Sequence, residues 1–319
     1  MDTMKKIDGH FHVNFCGFSA KKIIEYLDKN KIEKCWLLSW EENNPPIPNL
    51  YEHLSIESII DAYEKYPNRI VPFYAPDPGS ENIKETLEKY MGLGIKGCGE
   101  LKVTYKWEDP LMEKYVKIVS ELGLPLLFHM EAPREHYVKV SNSKMENLLE
   151  QLFNGALNGL SKYYLTKVSK IAPFVLKKIS KGQKYFPGYL YDFVALEKMV
   201  KKYPNVIFVG HGPHFWNNIG KHQSEKYTHQ RGKINEWGII DNLLTENDNF
   251  YCDISGKSGF NALTRDKKRA KLFLEKHHLK LIFGTDNTNY DFDEMLNSYK
   301  LSRVKLESIY YKNAEKIIN

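Results

Sequence analysis

The chain has 319 residues, of which 42% are hydrophobic and 27% are charged, and its formal net charge is +6. This composition excludes a disordered chain, and no apolar run has the length of a signal peptide or a membrane-spanning helix, so we expect a soluble, cytoplasmic protein. The modest excess of basic residues fits an ordinary solubilising surface, and the four cysteines, which form no CxxC pair, are expected to be reduced thiols.

Eight short apolar runs with the composition of β-strands follow one another along the chain. In chain order they are 6–8, 34–39, 70–74, 95–101, 124–129, 206–211, 249–254 and 280–286. Segments with apolar residues at helical spacing lie between them, for example at 20–30, 56–66, 82–93, 110–122 and 191–203. Strands that alternate with helices predict a parallel sheet, and a (β/α)8 barrel needs about 250 residues. We therefore predict one α/β domain over residues 1–319 with the architecture of a TIM barrel.

The interval 130–186, between the fifth and sixth predicted strands, is too long for an ordinary connection. Its aromatic and lysine residues predict a helical insertion over the barrel mouth. The insertion could act as a lid whose lysines attract an anionic substrate, or as a contact between subunits of a homo-oligomer. The alternative is an amphipathic pair of helices that only covers the barrel surface.

Histidines and a carboxylate stand where predicted strands end. His10 and His12 follow the first strand with one residue between them, so both rings point the same way in an extended segment and can reach one metal ion. His129, His211 and Asp286 end the fifth, sixth and eighth strands, where barrel enzymes place catalytic groups. Each alone could be a capping or turn residue, but together they predict a metal site. Zn²⁺ is the expected metal, and the same ligands accept Mn²⁺, Fe²⁺ or Co²⁺.

Five motifs resemble the amidohydrolase superfamily, and more specifically its amidohydrolase-related branch. They are Asp8-Gly9-His10-Phe11-His12, Leu127-Phe128-His129, Val209-Gly210-His211-Gly212, Phe283-Gly284-Thr285-Asp286 and Tyr311-Lys312-Asn313-Ala314. The resemblance extends from Asp8 to Ile317 and leaves the insertion unmatched. It is specific for the superfamily and not for a substrate.

The resemblance implies that His10, His12, His129 and Asp286 bind one metal ion, and that His211 hydrogen-bonds the metal-bound water or polarises the substrate. In relatives with two ions, a histidine at the position of His211 binds the second ion, and a carboxylated lysine or a glutamate after the fourth strand bridges the two. Glu100 could be such a bridge, or a carboxylate that orients a histidine or pairs with Lys102. We expect one ion, with a second ion as the alternative.

The predicted reaction is hydrolysis of an amide, ester or lactone of a small molecule, which could be anionic. The cation would activate water, Asp286 would accept and return a proton, and His211 would stabilise charge on the carbonyl oxygen. Other residues near strand ends are candidates for substrate contact, namely Lys102, Glu131, Arg134 and His214.

Three alternatives to this reaction stay open. The first is nonoxidative decarboxylation, which the resemblance to the same branch also implies. The others are a barrel that binds a ligand without turnover and a TatD-like nuclease that uses Glu100. Because the basic insertion resembles a cover more than an open groove with stacking aromatic residues, nucleic acid is not the expected partner.

Overall fold

The computed structural model describes residues 4–41, 53–137, 183–223 and 228–319, together with Ser143, Lys144 and Asn147. Within these residues, strands and helices alternate along the chain as predicted. The strands are β1 (Ile7–Phe11), β2 (Lys34–Leu38), β3 (Ile70–Phe73), β4 (Cys98–Leu101), β5 (Leu126–His129), β6 (Arg134–Tyr137), β7 (Gln183–Phe186), β8 (Phe208–His211), β9 (Phe250–Asp253) and β10 (Leu281–Ile282). All eight predicted barrel strands are present, as β1 to β5 and β8 to β10.

These eight strands form a closed parallel barrel. Strands β1, β2 and β3 pair in that order, and a second run pairs in the order β4, β5, β8, β9 and β10. The two runs meet at a parallel bridge between Phe73 and Gly97. On the other side of the barrel, the backbone N–H of Gly9 donates to the carbonyl oxygen of Phe283 at 2.8 Å. The backbone N–H of Asp286 donates to the carbonyl oxygen of His10, also at 2.8 Å. The chain is therefore a (β/α)8 barrel, as the sequence predicts.

Helices surround the barrel and begin at residues suited to helix starts. They are α1 (Ala20–Lys29), α2 (Ile56–Lys65), α3 (Ile83–Gly92), α4 (Pro110–Glu121), α5 (Phe193–Lys202), α6 (Pro213–Asn217), α7 (Ile239–Glu246), α8 (Gly256–Thr264), α9 (Lys267–His277), α10 (Phe292–Ser298), α11 (Arg303–Glu307) and α12 (Asn313–Ile318), with a π-helical turn at Ser308–Lys312. The side chains of Ser19, Ser55 and Asp109 accept hydrogen bonds from the first turns of α1, α2 and α4. No helix among the described residues is long and apolar enough to cross a membrane.

The alternation of side chains along the strands decides which residues face the barrel interior. In β5, β8 and β9, the side chains of Leu127, Val209 and Tyr251 pack inside the barrel with Trp36 and Phe73. Their neighbours in sequence pack outward against the helices. Since residues two apart in a strand share a face, the strand-end residues 129, 211 and 253 also face inward. The barrel thereby brings these three positions together above its apolar interior.

The interval 130–186 contains structure that the sequence did not predict. Its two ends pair as the antiparallel strands β6 and β7, with Arg134 opposite Phe186. Between these strands, Lys144 and Asn147 are helical, and the rest of the predicted helical insertion lies outside the described residues.

Candidate metal centre

Four histidines and two acidic residues meet at the carboxyl ends of the barrel strands. They are His10, His12, Glu100, His129, His211 and Asp286, and all are buried except Asp286, whose side chain is 23% exposed. They form three overlapping groups in which one ligand atom from each residue lies within 4.8 Å of the others: His10–His211–Asp286, His10–His12–Glu100 and Glu100–His129–His211. The five residues that the sequence singles out for one site are therefore brought together, with Glu100 among them.

The first donor set contains His10, which lies in β1, and His12, which directly follows β1. Nε2 of His10 lies 3.2 Å from Nε2 of His12. Oε2 of Glu100 lies 3.7 Å from Nε2 of His10 and 3.4 Å from Nε2 of His12, and Oδ1 of Asp286 lies 3.7 Å from each. Two ring nitrogens and two carboxylate oxygens thus converge.

The second donor set uses the other oxygen of Glu100. Its Oε1 lies 2.6 Å from Nδ1 of His129 and 3.8 Å from Nε2 of His211. Nε2 of His211 is also 3.8 Å from Oδ2 of Asp286. Nε2 of His129 is buried without a hydrogen-bond partner among the described residues, and Oε2 of Glu131 lies 3.5 Å from it. One carboxylate, that of Glu100, is therefore shared by two sets of histidines.

Hydrogen bonds on the far side of three rings decide which nitrogen faces the centre. Nδ1 of His10 donates to Asp253 at 3.0 Å, Nδ1 of His211 donates to the same carboxylate at 2.9 Å, and Nδ1 of His12 donates to the carbonyl oxygen of Leu38 at 2.9 Å. In the neutral rings, Nε2 then carries the lone pair and points inward. Facing nitrogen lone pairs among carboxylate oxygens repel one another unless a cation or protons lie between them, so these residues fit a divalent metal ion.

The charges of the buried groups follow from this arrangement. Burial lowers the pKa of His12, which favours the neutral ring that a metal requires. For His10, burial opposes the charged form, but the carboxylates of Asp253, Asp286 and Glu100 together raise its pKa well above the usual value. Burial likewise opposes ionisation of Glu100, yet His129 and His10 hold its pKa well below the usual range. The carboxylates therefore favour positive charge at the position of His10, and a bound cation would supply that charge in place of a proton.

Backbone conformation brings Asp286 close to the histidines. Asp286, which lies four residues beyond the end of β10, has a φ of +53°, in the left-handed region. Gly256, with a φ of +69°, approaches it so closely that a Cβ atom there would stand 2.7 Å from Oδ2 of Asp286. Only glycine leaves room for the carboxylate at this point.

The four candidate substrate residues lie in two places. Glu131 and Arg134 form an ion pair in which Nη1 of Arg134 donates to Oε1 of Glu131, and His129 and Arg134 hold the pKa of Glu131 at about 2 against the effect of burial. Lys102 has its Nζ 4.0 Å from the centre of the Trp40 ring. Burial and the charge of Lys102 oppose protonation of His129, but the carboxylates of Glu100 and Glu131 still raise its pKa above the usual value. These three border the second donor set.

His214 lies in α6, and its ring centroid is 5.5 Å from that of Phe193. Burial lowers its pKa. This environment is apolar, and its role in binding substrate stays a prediction.

Sequence reasoning missed two residues at the centre, and a third, His229, on which the charge of Glu131 acts. Asp253 is fully buried and accepts hydrogen bonds from His10 and His211, and the signal for it was available because it is the next-to-last residue of the seventh apolar run. Trp40 donates its indole N–H to Oε2 of Glu100, and no pattern in the sequence indicates that contact. His229 has a buried Nδ1 without a partner among the described residues, and burial lowers its pKa to about 4, while the charge of Glu131 acts in the opposite direction.

No family model and no curated relative matches the chain. Solved structures do match, over nearly its whole length. An uncharacterised TIM-barrel protein from Bordetella bronchiseptica is 10% identical with a TM-score of 0.59, and 98% of each chain is covered. The chain has the fold of these barrels.

Two enzymes are among the other solved structures of this fold. A probable 2-pyrone-4,6-dicarboxylic acid hydrolase from Acinetobacter baumannii is 12% identical, with a TM-score of 0.54 and 99% of each chain covered. A dihydroxybenzoic acid decarboxylase from Polaromonas, solved with manganese and an inhibitor, is 15% identical, with a TM-score of 0.51, 100% of this chain covered and 97% of that chain. These structures confirm the predicted TIM-barrel fold.

Proposed function

We propose that the protein is a metal-dependent hydrolase of small molecules with a centre for two divalent ions. His10, His12, Asp286 and Oε2 of Glu100 would hold one ion, and His129, His211 and Oε1 of Glu100 would hold the other. The observation that carries the proposal is the division of the Glu100 oxygens between two sets of histidines, at 3.4 Å from His12 and 2.6 Å from His129. This proposal goes beyond the single ion expected from the sequence.

Bound divalent ions supply charge that polarises a carbonyl group and lowers the pKa of water. The residue assigned to proton transfer is Asp286. Its side chain is 23% exposed, whereas that of Glu100 is 1% exposed and that of Asp253 is 0% exposed. It is the carboxylate of the centre that a substrate can reach, so we assign to it the uptake of a proton from the attacking water and its return to the leaving group.

The substrate that this centre would accept is an anion, and a carboxylate is the simplest case. Lys102 lies two residues beyond Glu100, with its ammonium group over Trp40 at 4.0 Å and over Tyr189 at 5.8 Å. Its charge acts on both His129 and Glu131, so it lies beside the second donor set. An ammonium group at the edge of a buried centre would attract and orient a negatively charged substrate.

Nonoxidative decarboxylation is the second candidate, because a decarboxylase is among the solved structures that share the fold. Asp286 would have a different role in proton transfer in each of the two reactions. In hydrolysis it removes a proton from water, and the oxygen of that water enters the product. In decarboxylation a carbon–carbon bond breaks, carbon dioxide leaves, and a protonated acid delivers its proton to the carbon left behind.

The deciding experiment compares the fate of labelled solvent. Protein stripped with a chelator and reloaded with Zn²⁺ or Mn²⁺ is incubated with aryl esters, lactones, and aromatic carboxylates alongside their methyl esters. Incorporation of ¹⁸O from water into the product supports hydrolysis, whereas release of carbon dioxide with deuterium from D₂O on carbon supports decarboxylation. Retention of full activity after complete metal removal would refute both.

Two variants separate the centre from the rest of the protein. His10→Ala should abolish metal-dependent turnover, because it removes a donor of the first set. His222→Ala is the matched control, since the side chain of His222 is 73% exposed and pairs only weakly with Glu236. A small-molecule substrate, a cytoplasmic location and a homo-oligomer stay predictions. The metal-loaded protein should not cleave DNA when DNA is offered as the substrate.

A further inference from the structure

Trp40 donates a hydrogen bond from its indole N–H to a residue of the candidate metal centre. It lies two residues beyond β2, is only 6% exposed, and its Nε1–H donates a hydrogen bond to Oε2 of Glu100. Its backbone is fixed by a pair of hydrogen bonds with Leu54, at 3.0 Å and 2.9 Å. The indole therefore reaches the carboxylate from an anchored position in the chain.

The hydrogen bond goes to one particular oxygen of Glu100. Oε2 is the oxygen nearest His12 and His10, at 3.4 Å and 3.7 Å, while Oε1 accepts from Nδ1 of His129 at 2.6 Å. In the metal-free protein, a donor on each oxygen restricts rotation of the carboxylate plane. The indole thus determines where Oε2 stands relative to the two histidines of the first set.

The surroundings of the ring distinguish Trp40 from other buried tryptophans. Nε1–H of Trp107 donates to the carbonyl oxygen of Leu190 at 2.9 Å, which is an ordinary way to satisfy a buried indole. The Trp40 ring instead lies 4.4 Å from the ring of His12, and Nζ of Lys102 stands 4.0 Å from its centre. The Trp40 side chain therefore contacts His12, the shared carboxylate of Glu100 and the ammonium group of Lys102.

We propose that Trp40 is a positioning residue of the metal centre, whose indole N–H holds Oε2 of Glu100 toward His10 and His12. The inference rests on the proposed two-ion function and specifies which ion depends on the indole. Loss of the N–H should weaken the ion held by His10, His12 and Asp286 more than the ion held by His129 and His211. Hydrogen-bond partners of metal-binding groups typically contribute about 10- to 100-fold in metal affinity.

The test is calorimetric titration of metal-free protein with Zn²⁺. Trp40→Phe keeps an aromatic ring and removes the N–H, so one of two binding events should weaken by about 10- to 100-fold. Trp107→Phe is the matched control, because it removes a buried indole N–H that bonds to a backbone carbonyl. Thermal unfolding of the metal-free variants separates loss of fold from loss of metal.

The outcomes distinguish the inference from the proposed function. Wild-type protein that binds no Zn²⁺ overturns both, whereas wild-type binding with equal affinity in Trp40→Phe overturns the inference alone. A measurement on the wild type guards against a variant that fails to fold. With ¹⁵N-labelled tryptophan, addition of Zn²⁺ should shift one of the five indole N–H signals strongly. A spectrum in which no indole signal responds would refute the positioning role.

Discussion

Asp253→Asn tests whether one buried carboxylate orients histidines of both donor sets. Oδ2 of Asp253 accepts from Nδ1 of His10 at 3.0 Å, and Oδ1 accepts from Nδ1 of His211 at 2.9 Å. Ser255 also donates to Oδ1, through its backbone nitrogen at 3.0 Å and through its hydroxyl group. Because three donors meet at Oδ1 and one at Oδ2, the single amide oxygen of Asn should occupy the Oδ1 position.

The amide nitrogen would then face Nδ1 of His10 and donate to it. Nδ1 becomes the acceptor, the ring proton moves to Nε2, and the lone pair that faces the centre is lost. A hydrogen bond to a charged group contributes about 1.5–3 kcal/mol, and about 1.4 kcal/mol corresponds to a tenfold change in binding. The ion that His10, His12 and Asp286 would hold should therefore bind about 10- to 150-fold more weakly.

Calorimetric titration with Zn²⁺ measures this loss, and Asp241→Asn is the matched control. Asp241 is also a buried carboxylate that accepts from a histidine, with Nε2 of His277 at 2.8 Å, and it lies in α7, outside the metal centre. That variant should lose stability and keep the affinity for Zn²⁺. A folded Asp253→Asn protein with wild-type affinity would refute the argument from ring orientation.

Two further substitutions test the geometry of the centre and of the barrel interior. Gly256→Ala should lower metal affinity, because its Cβ would stand 2.7 Å from Oδ2 of Asp286. Gly232→Ala is the control, because Gly232 has a φ of +78° and a Cβ there would meet no atom of the described residues within 4 Å, so this variant should only lower the unfolding temperature. Equal metal affinity in the two variants would contradict the steric reasoning. Phe73→Ala removes a ring that stacks on Trp36 at 4.7 Å and should reduce the free energy of unfolding in urea by about 3–5 kcal/mol. A loss below 1 kcal/mol, on the order of a surface substitution, would show that the interior does not depend on this stack.

The barrel could be predicted from the sequence because each strand is a short apolar run followed by a helix with its own start and end signals. The antiparallel pair β6 and β7 could not. Arg-Glu-His-Tyr at 134–137 and Gln-Lys-Tyr-Phe at 183–186 lack an alternation of apolar and polar residues. Each of the two segments pairs with the other, which lies far away in the sequence, so no local pattern reveals the pairing.

The donors of the centre were predictable for a related reason. His129 and His211 each end an apolar run, and inward-facing Leu127 and Val209 precede them by two residues. Asp253 stands in the same relation to inward-facing Tyr251, so the same pattern also indicates Asp253. The contact of Trp40 with Glu100 was not predictable, since it joins side chains of different barrel units whose separation only the folded barrel defines.

Glu100→Gln tests the division of the carboxylate oxygens most directly. Trp40 can only donate to Oε2, so the amide oxygen of Gln should take that position and the amide nitrogen should face Nδ1 of His129, which lies 2.6 Å from Oε1. The second set then loses its oxygen ligand and gains a donor in its place, while the first set keeps His10, His12, Asp286 and an oxygen. If the proposed two-ion centre is right, elemental analysis should find one ion per chain in the variant and two in the wild type. Two ions in Glu100→Gln would show that the second set does not need the carboxylate. Loss of both would show that Glu100 holds the centre together as a whole.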